Sequence, residues 1–142
     1  MDEGQVVAAR LKLLAEYVSD LRDLQEIGLD DYQGNKLIRR AVERTLQMAV
    51  EATLDVGHHL IAAGQYRSPG SNADVFVILG EQGVLPQDLV PRLVGMARFR
   101  NLLVHDYARL DDALIYNILR HRLGDFDDFA RAIAAYLENL DR

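Results

Sequence analysis

Apolar residues recur at intervals of three and four along most of the chain, which is the period of an α-helix with one buried face. This pattern predicts a first helix from about Gln5 to Gln25 and a second, long helix from roughly Asp31 to Ala63. The segment GLDDYQGN between them has the composition of a turn, and it also fits the start of the second helix. The apolar stripe of the first helix consists of Val7, Leu11, Leu14, Val18 and Leu21. That of the second consists of Ile38, Val42, Thr45, Ala49, Ala52, Val56 and Leu60.

The segment after the long helix, GQYRSPGSN, is rich in the residues that form loops. The next segment, ADVFVILGEQG, contains Val75–Leu79, whose residue types favour a strand. A lone strand would have no partner in this chain. We therefore predict a short helix that ends near Gly80 or Gly83.

Two further helices are predicted in the C-terminal third of the chain. Leu85-Pro86 opens a fourth helix that runs to about Tyr107, and a proline in its first turn is tolerated. A fifth helix begins with Asp111 or Asp112 as its N-cap, and Gly124-Asp125 is a point where it breaks or bends. The apolar period then continues to the end of the chain through Phe126, Phe129, Ile133, Leu137 and Leu140.

These elements predict an all-α fold, an up-and-down helical bundle of four to five main helices. The chain has 142 residues, which is enough for a sizeable core, and we expect residues 1–142 to form a single domain. It has no cysteine, so disulfides and thiolate metal sites are excluded.

The formal net charge is −6, which argues against a protein that coats nucleic acid without sequence preference. Between Leu85 and Leu123, however, the local balance is positive. That segment holds Arg92, Arg98, Arg100, Arg109, Arg120 and Arg122 against Asp88, Asp106, Asp111 and Asp112. The local excess fits a site for a phosphodiester, and it equally fits arginines that decorate helix surfaces.

Nothing in the pattern indicates a membrane or an exported protein. The first residues are acidic where a signal peptide needs basic residues. Charged residues interrupt the apolar runs well before the length that a membrane span requires. A cytoplasmic location is therefore expected.

Two polar residues of the fourth helix fall within its apolar stripes. Arg100 shares a stripe with Leu89, Leu93, Met96, Leu103 and Tyr107. Asn101 shares the adjacent stripe with Val90, Val94, Ala97 and Val104. An unpaired buried charge is costly, so Arg100 is expected to meet an anion or a partner chain.

The spacing of the polar residues suggests that one chain does not complete a site. On an ideal helix Arg100 and Tyr107 are about 20° apart, and Asn101 and His105 about 40° apart. Arg100 and His105 are about 140° apart and roughly 7.5 Å apart along the axis. Two copies of this helix that cross at a two-fold axis would bring the groups together, which predicts a homodimer.

An imidazole and a guanidinium suit metal-free cleavage of RNA. The imidazole is the usual general base or acid near neutral pH, and the guanidinium stabilises a phosphate whose charge grows in the transition state. RNA supplies its own nucleophile, the 2′-hydroxyl. The alternative is structural: His105 is a cation at a helix C-terminus, Arg100 pairs with an acid on a neighbouring helix, and Tyr107 is a core aromatic.

The stretch RNLLVHDY resembles the R-x-x-x-x-H-x-Y signature of HepT-like toxins, which belong to the HEPN superfamily of helical nucleases. The long helix, the segment FVILGEQGVLP and the segment IYNILRHRLGDFDDFARAI are also similar to the family pattern, in the expected order. The resemblance spans roughly residues 5 to 140.

This resemblance implies a helical domain that dimerises through the motif helices and acts as a metal-independent ribonuclease without a cofactor. Its arginine, polar residue and histidine correspond to Arg100, Asn101 and His105. Its tyrosine corresponds to Tyr107, which a cognate MNT-type nucleotidyltransferase antitoxin modifies with AMP from ATP. AMP there would lie beside Arg100 and exclude RNA. Asp55 is a weaker candidate for an acidic residue near the site.

Other functions remain open at this point. A non-catalytic nucleotide-binding or scaffold partner of a nucleotidyltransferase would use the same basic groove without cutting RNA. A purely structural helical dimer is the third possibility. The adjacent His58 and His59 are about 100° apart on a helix and do not chelate a metal together, so no metal site is predicted. His121 belongs either to a solvated face or to an RNA-binding surface.

Overall fold

The computed structural model describes residues 3–140, which form seven α-helices and one 3₁₀ turn. The helices are α1 (Glu3–Leu24), α2 (Leu29–Gly34), α3 (Lys36–Gly64), α4 (Asn72–Glu81), α5 (Val90–His105), α6 (Asp112–His121) and α7 (Gly124–Leu140). No strand occurs within these residues, so the predicted all-α class is confirmed. No helix in this part of the chain has both the length and the apolar character that crossing a membrane requires.

The central element of the bundle is α3, which contacts each of the other six helices. Apolar side chains on this helix are buried on several sides. They are Val42, Leu46, Ala49, Val50, Ala52, Leu54, Val56, Leu60 and Ile61. The inner face predicted for the long helix is largely confirmed, and α3 becomes the frame against which the other helices are positioned.

The long helix begins later than predicted, because the chain breaks at Asn35. A short helix, α2, precedes the break, and the extended backbone of Asn35 separates it from α3. The Asn35 side chain then caps α3 by accepting a hydrogen bond from the Ile38 amide at 3.1 Å. The prediction of one continuous helix from Asp31 was therefore wrong.

The short helix predicted in place of a strand is confirmed as α4. Ser71 caps it, since its hydroxyl accepts from the Asp74 amide at 3.1 Å. The helix packs closely on α3 at Gly57, where a Cβ atom would lie 2.4 Å from Val75 Cγ1. A side chain at this glycine would force the two helices apart.

The motif helix, α5, is shorter at both ends than the pattern predicted. It begins at Val90 rather than at Leu85-Pro86. Pro91 has no amide hydrogen, so it cannot form the hydrogen bond to the carbonyl four residues earlier that a longer helix would need. It ends at His105, since Asp106 leaves helical geometry. Tyr107 therefore lies outside α5, in the 3₁₀ turn Tyr107–Arg109.

The last two helices agree with the predicted cap and break. Asp111 is the N-cap of α6 and accepts from the Ala113 amide at 2.9 Å. The helix ends at His121, and α7 begins at Gly124. The predicted interruption at Gly124-Asp125 is therefore confirmed as a break between two helices.

An ion pair with one buried member joins α5 to α7. Arg92 Nη1 donates to Asp125 Oδ1 at 2.7 Å and to Asp128 Oδ2 at 2.9 Å. The Asp125 side chain is only 7% exposed. Hydrogen bonds from Arg92 hold the pKa of Asp128 below its usual range. This contact fixes the first turn of the motif helix against the C-terminal helix.

We expect Arg92→Ala to lower the free energy of unfolding by about 2–3 kcal/mol, because it leaves the buried Asp125 carboxylate unpaired. Arg131, which is exposed and contacts Asp128 at 3.0 Å, provides the matched control. Arg131→Ala should cost less than about 1 kcal/mol. Urea denaturation at pH 7 measures both values, and equal losses would contradict this assignment.

The same pair predicts a pH dependence. The carboxylate with the lowered pKa is Asp128. It stabilises the folded state above its unfolded pKa of about 3.9, and this contribution is lost as the pH falls through its folded pKa. The stability difference between the parent and Arg92→Ala should therefore shrink below about pH 4.

Candidate functional site

The Arg100 guanidinium lies between α5 and α3, where it is paired with Glu51. Its Nε and Nη2 donate to Glu51 Oε2 at 3.2 and 3.1 Å. The Arg100 side chain is 20% exposed, so the prediction that it avoids the solvated face is confirmed. Within this chain, the partner of Arg100 is therefore an acid on a neighbouring helix, as the structural alternative predicted.

Asn101 lies beside Arg100 and is oriented by two donors. Its Oδ1 accepts from Asn72 Nδ2 at 3.1 Å and from Arg100 Nη1 at 3.4 Å. Asn72 is the first residue of α4, so α4 fixes the amide of the motif helix. The carbonyl oxygen of Asn101 is thereby occupied, and its amide nitrogen is the group left to donate to a ligand.

His105 is the last residue of α5, and its side chain is exposed. Its imidazole makes no hydrogen bond or ion pair with any of residues 3–140. An exposed imidazole is free to exchange protons with a substrate. The structure brings the side chains of Arg100 and Asn101 together, but no side-chain hydrogen bond or ion pair joins His105 to them within residues 3–140.

Tyr107 is directed toward α3 rather than along α5. Its hydroxyl donates to Glu43 Oε1 at 2.7 Å, and the Arg40 guanidinium carbon lies 5.8 Å from the ring centroid. The residue is 48% exposed, so its hydroxyl is held in place and its ring is open to solvent. The expectation that Arg100 and Tyr107 share a face of one helix was wrong, because the helix ends before Tyr107.

Glu43 is an acidic residue in a nearly dry position, with only 8% of its surface exposed. Its carboxylate stabilises the neutral phenol, so the hydrogen bond to Glu43, with partial burial, raises the pKa of Tyr107. The neighbouring Tyr32 is fully buried, and burial together with the Glu43 charge raises the pKa of Tyr32. In the described part of the chain, the Tyr32 hydroxyl is the buried side-chain polar atom without a hydrogen-bond partner.

Sequence reasoning missed both acidic residues that hold the site. The available signal is a polar stripe on α3 at helical spacing, formed by Arg40, Glu43, Gln47 and Glu51. Gln47 Nε2 also donates to Glu51 Oε2 at 3.2 Å. Asp55, the predicted acidic candidate, continues the stripe but lines a groove beside α1 with Arg10, and no hydrogen bond or ion pair joins it to Arg100.

The remaining histidines give no sign of a metal centre. His58 is exposed, and His59 Nδ1 lies 3.4 Å from Glu3 Oε2. His121 is exposed at the end of α6. Among residues 3–140 no group of three or more histidine or acidic side chains is arranged to hold a metal ion.

Two curated proteins are similar to this chain. A tRNA nuclease HepT of Aphanizomenon flos-aquae is 27% identical over 139 residues, which cover 98% of this chain and 95% of the relative. An mRNA nuclease HepT of Shewanella oneidensis is 32% identical over 98 residues, covering 69% of this chain and 74% of the relative.

A solved structure shares the fold. It is a tri-AMPylated Shewanella oneidensis HEPN toxin in complex with MNT antitoxin, with a TM-score of 0.86 and 24% sequence identity. The match covers 95% of this chain and 99% of that chain.

A family model described as Ribonuclease HepT-like matches residues 14–133. This range includes α3, α5 and every residue of the candidate site. The match confirms the resemblance found in the sequence and the predicted enzyme class, a ribonuclease. The chain belongs to the ribonuclease HepT-like family.

Proposed function

We propose that this chain is the toxin of a toxin–antitoxin pair, a metal-independent endoribonuclease whose catalytic residues are Arg100, Asn101 and His105. The observation that carries the proposal is the placement of these residues in the last two turns of α5, in a chain of a ribonuclease family. We take the substrate to be RNA without choosing a class, because the two curated relatives are named for tRNA and for mRNA.

The geometry gives His105 and Arg100 distinct parts in cleavage. The exposed His105 imidazole removes the proton from a 2′-hydroxyl, whose oxygen attacks the adjacent phosphorus. Arg100, already oriented by Glu51, stabilises the extra negative charge on the phosphate oxygens. The bond from phosphorus to the 5′-oxygen breaks, and that oxygen takes a proton from an acid. The products are a 2′,3′-cyclic phosphate and a 5′-hydroxyl.

This chemistry supports a site composed of two chains. A base and an acid are both required, and each chain offers one imidazole at the motif. Val104, next to His105, is 38% exposed, and Leu114 at the start of α6 is 41% exposed. Such exposed apolar side chains on α5 and α6 fit an isologous contact between two copies. We therefore propose a homodimer through α5, with residues 1–142 as one domain in each subunit.

Neutralisation is proposed to occur at Tyr107, through AMP transferred from ATP by a cognate MNT-type nucleotidyltransferase. The side chain is suitably exposed, and its hydroxyl is oriented by Glu43. The fold neighbour described as a tri-AMPylated HEPN toxin bound to an MNT antitoxin supports the same arrangement. RNA and ATP are both cytoplasmic, so we infer that the pair acts there.

The nuclease assignment predicts that Arg100→Ala and His105→Ala each lower RNA cleavage by at least about 100-fold, the usual range for a lost acid–base or anion-stabilising group. Purified protein is assayed on tRNA and on mRNA with EDTA present. The matched controls are Arg98→Ala and His58→Ala, both exposed positions, which should retain activity within about twofold of the parent.

Catalytic-residue variants that cleave as fast as the controls would overturn the site assignment. A parent protein that binds ATP or AMP in calorimetry but cleaves neither RNA would instead favour the non-catalytic nucleotide-binding partner. Loss of activity on addition of EDTA alone would contradict a metal-independent reaction.

The neutralisation proposal predicts one or more AMP mass increments on the protein after co-expression with its nucleotidyltransferase. Tyr107→Phe should carry none, because the acceptor oxygen is absent. Tyr17→Phe, at a half-buried tyrosine of α1, provides the control and should be modified like the parent. Intact-mass spectrometry measures the increments, and increments on Tyr107→Phe would place the acceptor elsewhere.

A further inference from the structure

The hydrogen bond from Tyr107 to Glu43 joins the proposed AMP acceptor to a carboxylate of the same chain. Glu43 Oε1 lies 2.7 Å from the Tyr107 hydroxyl oxygen. This is the distance at which a proton can pass between the two oxygens. Glu43 is 8% exposed while the tyrosine is 48% exposed, so the acid lies behind the phenol and leaves its outer side open.

The surroundings of Glu43 leave its carboxylate able to receive a proton. Within residues 3–140 it forms no ion pair with a lysine or arginine, and Tyr107 is its hydrogen-bond donor. The nearest arginine on the same stripe, Arg40, faces the Tyr107 ring instead. Glu51, by contrast, is already paired with the Arg100 guanidinium.

We propose that Glu43 is the general base for the modification of Tyr107, so that the toxin supplies the group that activates its own acceptor. This inference rests on the proposed function, since it concerns the AMP transfer assigned to Tyr107. It adds a role that the nuclease chemistry does not use, because within residues 3–140 no hydrogen bond or ion pair joins Glu43 to Arg100, Asn101 or His105.

AMP transfer to Tyr107 forms one O–P bond and breaks another. ATP binds on the nucleotidyltransferase, and the Tyr107 oxygen attacks the α-phosphorus from the open side of the ring. The O–H bond breaks and its proton passes to Glu43 Oε1 while the new O–P bond forms. The bond from the α-phosphorus to the bridging oxygen breaks, and pyrophosphate leaves with the electron pair. The protonated Glu43 then releases its proton to solvent.

A purely restraining role for Glu43 makes the opposite prediction. The hydrogen bond raises the pKa of Tyr107 and so disfavours the phenolate at equilibrium. If that were its whole effect, removal of the carboxylate would increase the phenolate fraction and speed the modification. If Glu43 accepts the proton during the attack, its removal slows the reaction.

The test is the single-turnover rate of AMP transfer with excess cognate nucleotidyltransferase, ATP and Mg²⁺. Glu43→Gln keeps a hydrogen-bond acceptor but cannot take the proton, and we expect a fall of at least about 100-fold near pH 7.5. The rate of the variant should rise about tenfold per pH unit between pH 7 and 9, because it depends on phenolate. The parent should change little over this range.

Two variants keep the test decisive. Glu16→Gln makes the same chemical change at an exposed position of α1 and should react like the parent. Glu43→Asp keeps the carboxylate and should recover part of the lost rate with the flat pH profile, which also covers the case of a Glu43→Gln protein that fails to fold. Thermal unfolding establishes which variants are folded.

The failures of the two proposals are distinguishable. A parent that takes up no AMP would overturn the proposed neutralisation and this inference together. A parent that is modified normally, with Glu43→Gln equally fast or faster, would overturn this inference alone. A folded Glu43→Asp protein as slow as Glu43→Gln and with the same pH slope would also contradict it.

Discussion

Two carboxylates on one flank of α3 hold the side chains on which the proposed activities depend. Glu51 forms an ion pair with the Arg100 guanidinium, and Glu43 accepts a hydrogen bond from the hydroxyl of Tyr107. Both bonds join the helix that contacts every other helix to the end of α5 and the turn after it. Each bond orders a functional side chain against the most constrained part of the bundle.

The pair of Arg100 with Glu51 orients the guanidinium before a substrate arrives. Its Nε and Nη2 face the carboxylate, while Nη1 is directed toward Asn101. In the proposed reaction a phosphate would therefore meet a cation whose direction is already set, and less side-chain entropy would be lost on binding. Glu51 also competes with the phosphate for Arg100, because its negative charge offsets part of the positive charge of the guanidinium.

The apolar period predicted the helical bundle because burial of a stripe is a local property of the chain. It did not place the start of α3 after Asn35, the start of α5 at Val90 or the end of α5 before Asp106, where single residues change the backbone. The shift of two residues at the end of α5 had the largest consequence, since it moved Tyr107 from the motif helix to the α3 side. The pairing of Arg100 with Glu51 spans 49 residues of sequence, and no local pattern specifies such a contact.

The spacing of Glu43 and Glu51 on α3 also determines how a nucleotide on Tyr107 would block cleavage within one chain. Glu43 and Glu51 are eight residues apart, which is about 12 Å along the helix axis. This exceeds the screening length of roughly 8 Å at physiological ionic strength. The charge of a phosphate on Tyr107 would therefore be strongly screened at Arg100, and the bulk of the nucleotide over the groove would be the stronger effect. Inhibition in this arrangement follows from occupying the path of the RNA rather than from neutralising the arginine.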